Sequence, residues 1–179
     1  TTAPQLSLNP TPRIGTNLPA GLDAGVVTIE LNTSMLLLPK VPMRKRTFDA
    51  RVGFFANQID VFEEESQKSD TEIFAVRWKL EPKNADDAAK QKRGELIEPK
   101  KPIVYYIDPA TPIKWRKFIK QGIDDWQVAF EATSRKNAIR GEYWPENDPT
   151  MSLEDARFSV LRYFAADIQN AYGPNVHDP

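Results

Sequence analysis

The chain has 179 residues, with 24 Lys plus Arg against 25 Asp plus Glu, one His and no Cys. A chain of this length buries roughly 70% of its unfolded surface, so it needs neither disulfide nor metal to fold, and the length fits one domain or two small ones. The net charge of −1 excludes a strongly basic nucleic-acid binder, and the lack of Cys removes thiol nucleophiles, cysteine zinc sites and disulfide scaffolds together.

The longest apolar run, Met35 to Leu38, is stopped by Pro39 and falls far short of the ~20 residues of a membrane span. Fifteen prolines against eight glycines favour short strands and ordered loops over a helical bundle. The Thr1 start, with no initiator Met and no signal-like segment, and the Asp178-Pro179 end read as the limits of a piece of something longer.

Residues 1–23 are rich in Pro, Thr, Asn and Gly and read as an irregular arm. Val26 to Leu31 is β-branched and turn-bounded, a strand that could pair with Met35 to Leu38 as a hairpin. Residues 52–62 are strand-like, residues 63–70 form a charged turn, and Phe74, Val76, Trp78 and Leu80 alternate as one face of a half-buried strand. From about 81 to 94 the sequence is charged and poor in large apolar groups, the composition of a linker or exposed loop. Pro102 to Asp108 is a continuous apolar strand of the kind buried on both faces. The turn that follows supplies Thr111 as N-cap and Pro112 as first helical residue. A helix is then expected from Ile113 to about Ala132, with Trp115, Ile119, Ile123, Trp126 and Phe130 inward and Lys114, Lys117, Lys120, Asp124 and Gln127 elsewhere.

Ala138-Ile139 reads as a short strand and Gly141 to Met151 as a loop. Ser152 with Asp155 reads as a capped helical turn, residues 158–164 as a strand and Asn170 to Asn175 as a turn. The fold class is therefore α+β: a β-rich half, residues 1–98, followed by a strand–long helix–strand unit, residues 99–179, with an α/β crossover if its strands share a sheet.

The chemical inventory is thin. There is no phosphate-cradling glycine loop, no G-x-S-x-G elbow and no HExxH. His177 is the only imidazole, and with Asp178 and Asp167 it offers at most a structural metal; an exposed terminal His is the plainer reading. Arg44-Lys45-Arg46 with Arg51 suggests a phosphate patch or, more plainly, a solvated loop pairing with nearby acids. Glu63-Glu64-Glu65 lacks the spaced oxygen ligands and the glycine of a calcium loop. Tyr105 and Tyr106 are read as structural strand tyrosines, and the Trp115 to Phe130 stripe as core. No residue is assigned a catalytic, cofactor-binding or metal role.

One run goes further. Glu98-Pro99-Lys100-Lys101-Pro102-Ile103-Val104-Tyr105-Tyr106-Ile107-Asp108-Pro109-Ala110-Thr111-Pro112 leads into Trp115-Arg116, Ile119 to Ile123, Asp125-Trp126 and Ala129-Phe130-Glu131. Residues 154–163 and Asn170-Ala171-Tyr172-Gly173-Pro174 follow. This resembles the start of the catalytic region in large, exported bacterial zinc-dependent metalloproteases, similar to metzincins. Upstream, Ser34 to Pro39, Pro42-Met43 and Asp49 to Phe55 resemble the end of the β-rich domain of uncertain role that precedes it there.

The resemblance implies a secreted or cell-surface parent enzyme that hydrolyses peptide bonds with zinc. Strand 102–108 and helix 112–131 would be framework, with the zinc motif downstream of Pro179. This chain would itself be silent, holding no cofactor, because two helix-borne histidines, a third ligand and the glutamate base are missing from it. Its partners would be the downstream catalytic region and, for the parent, a peptide or protein substrate. Neither nucleic acid nor a membrane span is expected, and exposed edges favour dimerisation. The alternatives are an exported, non-enzymatic module binding peptide or glycan, marked by an exposed Trp78 or Trp144 in an aromatic groove, and an inhibitory or folding role for the β-rich half.

Overall fold

The computed structural model describes residues 33, 35, 37, 39–165, 171 and 173. The chain divides into two units, Thr1–Met35 and Leu36–Pro179, and nearly all described residues belong to the second. The expected strand at Val26 to Leu31, most of its hairpin partner, Asp167, the turn at Asn170 to Asn175, His177 and Asp178 lie outside the described residues or only partly within them.

The second unit is mixed α and β. It opens with an antiparallel ribbon of β1 (Ala56–Val61) and β2 (Asp70–Ala75), with Ala56 opposite Ala75 and Val61 opposite Asp70. β1 falls within the strand-like residues 52–62 and alternates, half-burying Asn57, Ile59 and Val61. The second strand starts earlier and stops earlier than the Phe74 to Leu80 alternation suggests. Arg46 accepts from Ala75 N at 2.8 Å and Phe55 from Val76 N at 2.8 Å, after which the chain leaves the ladder and Trp78 is 51% exposed.

Residues 81–94 carry a helix, α1 (Ala85–Lys92), where the composition suggests a linker or exposed loop. It buries no residue and is held by its ends. The Asn84 side chain accepts from Asp87 N at 2.8 Å, and Asp86 and Asp87 sit in the first turn. Gly94, at φ +82°, donates to Gln91 O while Glu95 N donates to Lys90 O, the paired bonds of a glycine-terminated helix end.

The remainder is a three-stranded parallel sheet. β3 (Ile103–Ile107) lies between β4 (Ile139–Tyr143) and β5 (Ser159–Leu161), with Ile103 beside Ile139 and Tyr105 beside Gly141 and Ser159. β3 reaches β4 through α2 (Ile113–Asp124) and α3 (Gln127–Glu131), so the expected crossover is present. Ile103 and Ile107 are buried, while Val104, Tyr105 and Tyr106 are half-buried rather than enclosed on both faces. Pro112, not Thr111, is the residue capping α2. Thr111 is buried and its N–H donates to Asp108 O at 2.9 Å.

The single long helix expected from 113 to 132 is two. At the join the bonding tightens from Asp125 N to Gln121 O to Trp126 N to Ile123 O, with helical dihedrals kept throughout. β4 extends through Gly141 to Tyr143, into the expected loop, and β5 is only three residues long. Ser152 and Asp155 make turns, with Ser152 Oγ accepting from Glu154 N at 3.3 Å, but no helix.

Candidate functional site

The packing face of α2 is set by what β4 requires. Gly141 has no Cβ, and one added there would lie 3.2 Å from Ile123 Cδ1 and 3.3 Å from Lys120 Cα, so helix and strand approach at backbone distance. At that separation the outward N–H groups of β4 need acceptors, and the helices supply them. Asp124 Oδ1 accepts from Gly141 N at 2.8 Å; Gln127 Oε1 accepts from Ala138 N at 2.8 Å and from Ile139 N at 3.3 Å. Lys120 holds the other Asp124 oxygen at 2.7 Å.

Burial opposes the Asp124 charge, but the Lys120 hydrogen bond, the Gly141 N–H and the Lys120 charge together hold its carboxyl below the ordinary value. Lys120, Asp124 and Gln127 thus face the sheet beside Ile119 and Ile123. Two members of the expected core stripe, Trp115 and Trp126, are 48% and 64% exposed. Trp115 and Phe118 tilt together at 6.4 Å on that open side, with Lys114 and Lys117 ammonium groups over their rings.

The carboxyl end of β3 is where parallel sheets usually present their chemistry. Asp108, 2% exposed, sits there. Its Oδ1 accepts from Ala110 N at 2.8 Å; its Oδ2 accepts from Arg162 Nε at 3.0 Å and from Tyr163 N at 3.3 Å. Arg162 goes on to Glu154 Oε1 at 3.0 Å. A carboxylate so fully engaged is a clamp joining the ends of β3 and β5, not a free base. Tyr106, Trp144 and Phe158 pack edge to face at 5.6 to 6.0 Å, so both Tyr106 and the half-buried Trp144 are structural. Tyr105 meets the Trp78 ring at 6.2 Å.

At the amino ends of β3 and β4 lies a cavity of about 370 Å³ bordered by Lys83, Glu98, Lys100, Pro102, Asn137 and Arg140. Its acid is spent. Lys83 Nζ at 2.7 Å, then the Asn137 amide at 2.9 Å, hold Glu98 below its usual value. The cavity contains no nucleophile paired with a base.

Of the basic loop, Lys45 pairs with Glu72 at 2.7 Å and Arg51 with Asp49 at 2.6 Å, as a solvated loop would. Arg44 and Arg46 form no ion pair with a described residue. Glu63, Glu64 and Glu65 are exposed. Among the described residues no group of three His, Cys, Asp or Glu side chains is placed to hold a metal ion; His177, Asp178 and Asp167 lie outside them.

Sequence reasoning passed over Asp108, Asp124 and Gln127 as working residues. The signals were an Asp closing an apolar strand before Pro109 and a glycine inside the following strand. Residues 7–83 match the model of a domain of unknown function, DUF5117; no curated protein and no solved structure matches the chain.

Proposed function

We propose that this chain is the framework part of a secreted or cell-surface, metzincin-like zinc metallopeptidase, with β3, α2 and β4 forming the back of its catalytic region. The observation that carries this reading is that residues 102–131, which carry the resemblance, build β3 and the helices α2 and α3 that lead back to its parallel neighbour β4. The zinc ligands would come from other polypeptide, and no hydrolytic step runs through residues of this chain. Their work is mechanical. Asp108 ties β3 to β5, and Asp124 and Gln127 fix the helices against β4. The downstream catalytic region would be the main partner, and the open apolar side of α2, with Trp115 and Phe118, also suits self-association.

The test compares this chain with a version extended through the polypeptide encoded after it, assaying casein hydrolysis with and without a chelator. An inert short chain and a chelator-sensitive long one are expected. Chelator-sensitive hydrolysis by the short chain, or an inert extension lacking HExxH, would overturn the proposal.

A second reading, an exported peptide- or glycan-binding module, draws on the exposed Trp78 edge-on to Tyr105. It has weaker support, since the cavity at the sheet's amino end has no aromatic wall.

A further inference from the structure

Where the β1–β2 ribbon leads into the parallel-sheet unit, the fold gathers guanidinium groups without acids. Arg46 O accepts from Ala75 N at 2.8 Å, which brings residues 44–46 alongside residues 75–77. Arg77 Nη2 donates to Arg44 O from the same stretch. From the other side Arg135 Nε reaches Leu80 O at 3.3 Å, with Nη1 on Thr133 O at 3.0 Å. That reach depends on an unusual loop. Ser134 and Asn137 hold φ values of 63° and 52°, while Ile97 donates to Ser134 O and accepts from Lys136 N, clasping the loop on both sides of Arg135. Non-glycine residues in left-handed conformations cost energy and tend to occur where a fixed placement matters.

None of Arg44, Arg46, Arg77 and Arg135 forms an ion pair with a described residue. Arg77 Nε is buried with no acceptor. Burial, then the Arg46 and Arg135 charges, lower the pKa of Arg77, so its neighbours repel it rather than compensate it. Most other basic groups of the ribbon and α1, Lys45, Arg51, Lys68 and Lys90 among them, do find an acid within 4 Å.

We propose that Arg46, Arg77 and Arg135 form a binding site for a tetrahedral oxyanion of the sulfate or phosphate class, either the free ion or an ester group on a polysaccharide. Guanidinium groups suit such an anion as charge-assisted donors; beside the carbonyls they already hold, Arg77 has Nη1 and Arg135 has Nη2 to offer. The anion neutralises the mutual repulsion and bridges the 44–46 stretch to the 134–137 loop.

The test is titration of the whole chain with sodium sulfate, sodium phosphate and a sulfated disaccharide at constant ionic strength, with chloride as the balancing salt, followed by calorimetry or amide chemical shifts. Saturable binding is expected, with shifts centred on 44–46, 77 and 135. Arg46→Gln, at an exposed position that the fold does not need, should weaken binding about tenfold, the order of one lost charged hydrogen bond. Arg135→Lys, which also gives up the Nε bond to Leu80 O and the Nη1 bond to Thr133 O, should weaken it with a lowered melting temperature, whereas Arg46→Gln should leave the melting temperature unchanged; Lys92→Gln should do nothing. Tighter binding of the disaccharide identifies an ester as the ligand, and equal binding identifies the free ion. Non-saturating responses matched by chloride, meaning an adventitious ion only, or unaltered binding by Arg46→Gln, would overturn the proposal.

Discussion

The ribbon and the parallel-sheet unit solve the same problem by different means. In the ribbon two strands pair in register, yet only Phe74 and Ala75 are buried, and the outward residues include Ile73 at 44% exposure. In the parallel unit few residues are buried either, but polar side chains do much of the joining. Asp108 holds β5 to β3, Asp124 and Gln127 hold the helices to β4, and Arg116 closes the β3–α2 turn on Thr111 O and Pro109 O. The ribbon depends on one apolar anchor, whereas the parallel unit depends on a set of directed acceptors. An isolated two-stranded ribbon is marginal in water, so its anchor should be its weakest point.

Phe74→Ala tests that asymmetry most sharply. Phe74 is 9% exposed, opposite Asn57 in the ladder, with Thr47 bridged to it and the Lys45 ammonium over its ring. Truncation should cost about 3 kcal/mol, the lower end for a buried Phe. Amide exchange should accelerate in β1 and β2 first, leaving β3 protected. Equal acceleration in both regions would make them one cooperative unit and end the comparison.

Asp108→Ala is the corresponding cut in the parallel unit. It strands the Ala110 and Tyr163 N–H groups and leaves Arg162 with Glu154 alone, so roughly 2 to 3 kcal/mol should be lost. Chemical denaturation reads the loss. Exchange should rise along β5 while the ribbon keeps its protection, the reverse of the Phe74→Ala pattern.

Gly141→Val probes the close approach of helix and strand. Its Cβ would meet Lys120 backbone at 3.3 Å, and backbone cannot swing aside as a side-chain tip does. Overpacking of this kind costs about 1 to 3 kcal/mol. Calorimetry should show a lower melting temperature, and an unchanged one would mean that α2 shifts freely on β4.

The two regions also differ in how far the sequence discloses them. β3 is legible because five consecutive apolar or aromatic residues end at an Asp-Pro turn, and β1 because residues 52–62 are rich in apolar side chains and end at a charged turn. α1 is misread because periodicity is a signal of burial and α1 buries nothing; its evidence is in its ends, Asn84 before two acids and Gly94 after Lys90 and Lys92. The rotation of α2 and α3 is misread for the opposite reason. Apolar size suggests that Trp115 and Trp126 point inward, but a strand edge reached at backbone distance asks for acceptors, so the carboxylate of Asp124 and the amide of Gln127 take the inner face. The Arg135 contact to Leu80 spans 55 residues and rests on two left-handed dihedrals, which no local pattern announces.

The smallest expected effect separates the acceptor network from simple burial. The Asp124 carboxyl, with an ordinary value of 3.8, titrates lower in the folded chain. Burial opposes that shift, and the Lys120 hydrogen bond with the Gly141 N–H outweighs it. Between the folded and unfolded values the unfolded chain binds more protons, so stability rises with pH there. The contribution is complete above about pH 4 and is lost as the pH falls through the folded value; the partly exposed Lys120 pair keeps it modest. Asp124→Asn retains an oxygen for the Gly141 N–H but cannot titrate. Its denaturation midpoint should therefore fall less steeply below pH 4 than that of the unaltered chain, with β4 still protected at neutral pH. Parallel acid slopes for the two chains would show that the charge contributes nothing, and that the neutral hydrogen bond and the glycine contact suffice to seat the helix.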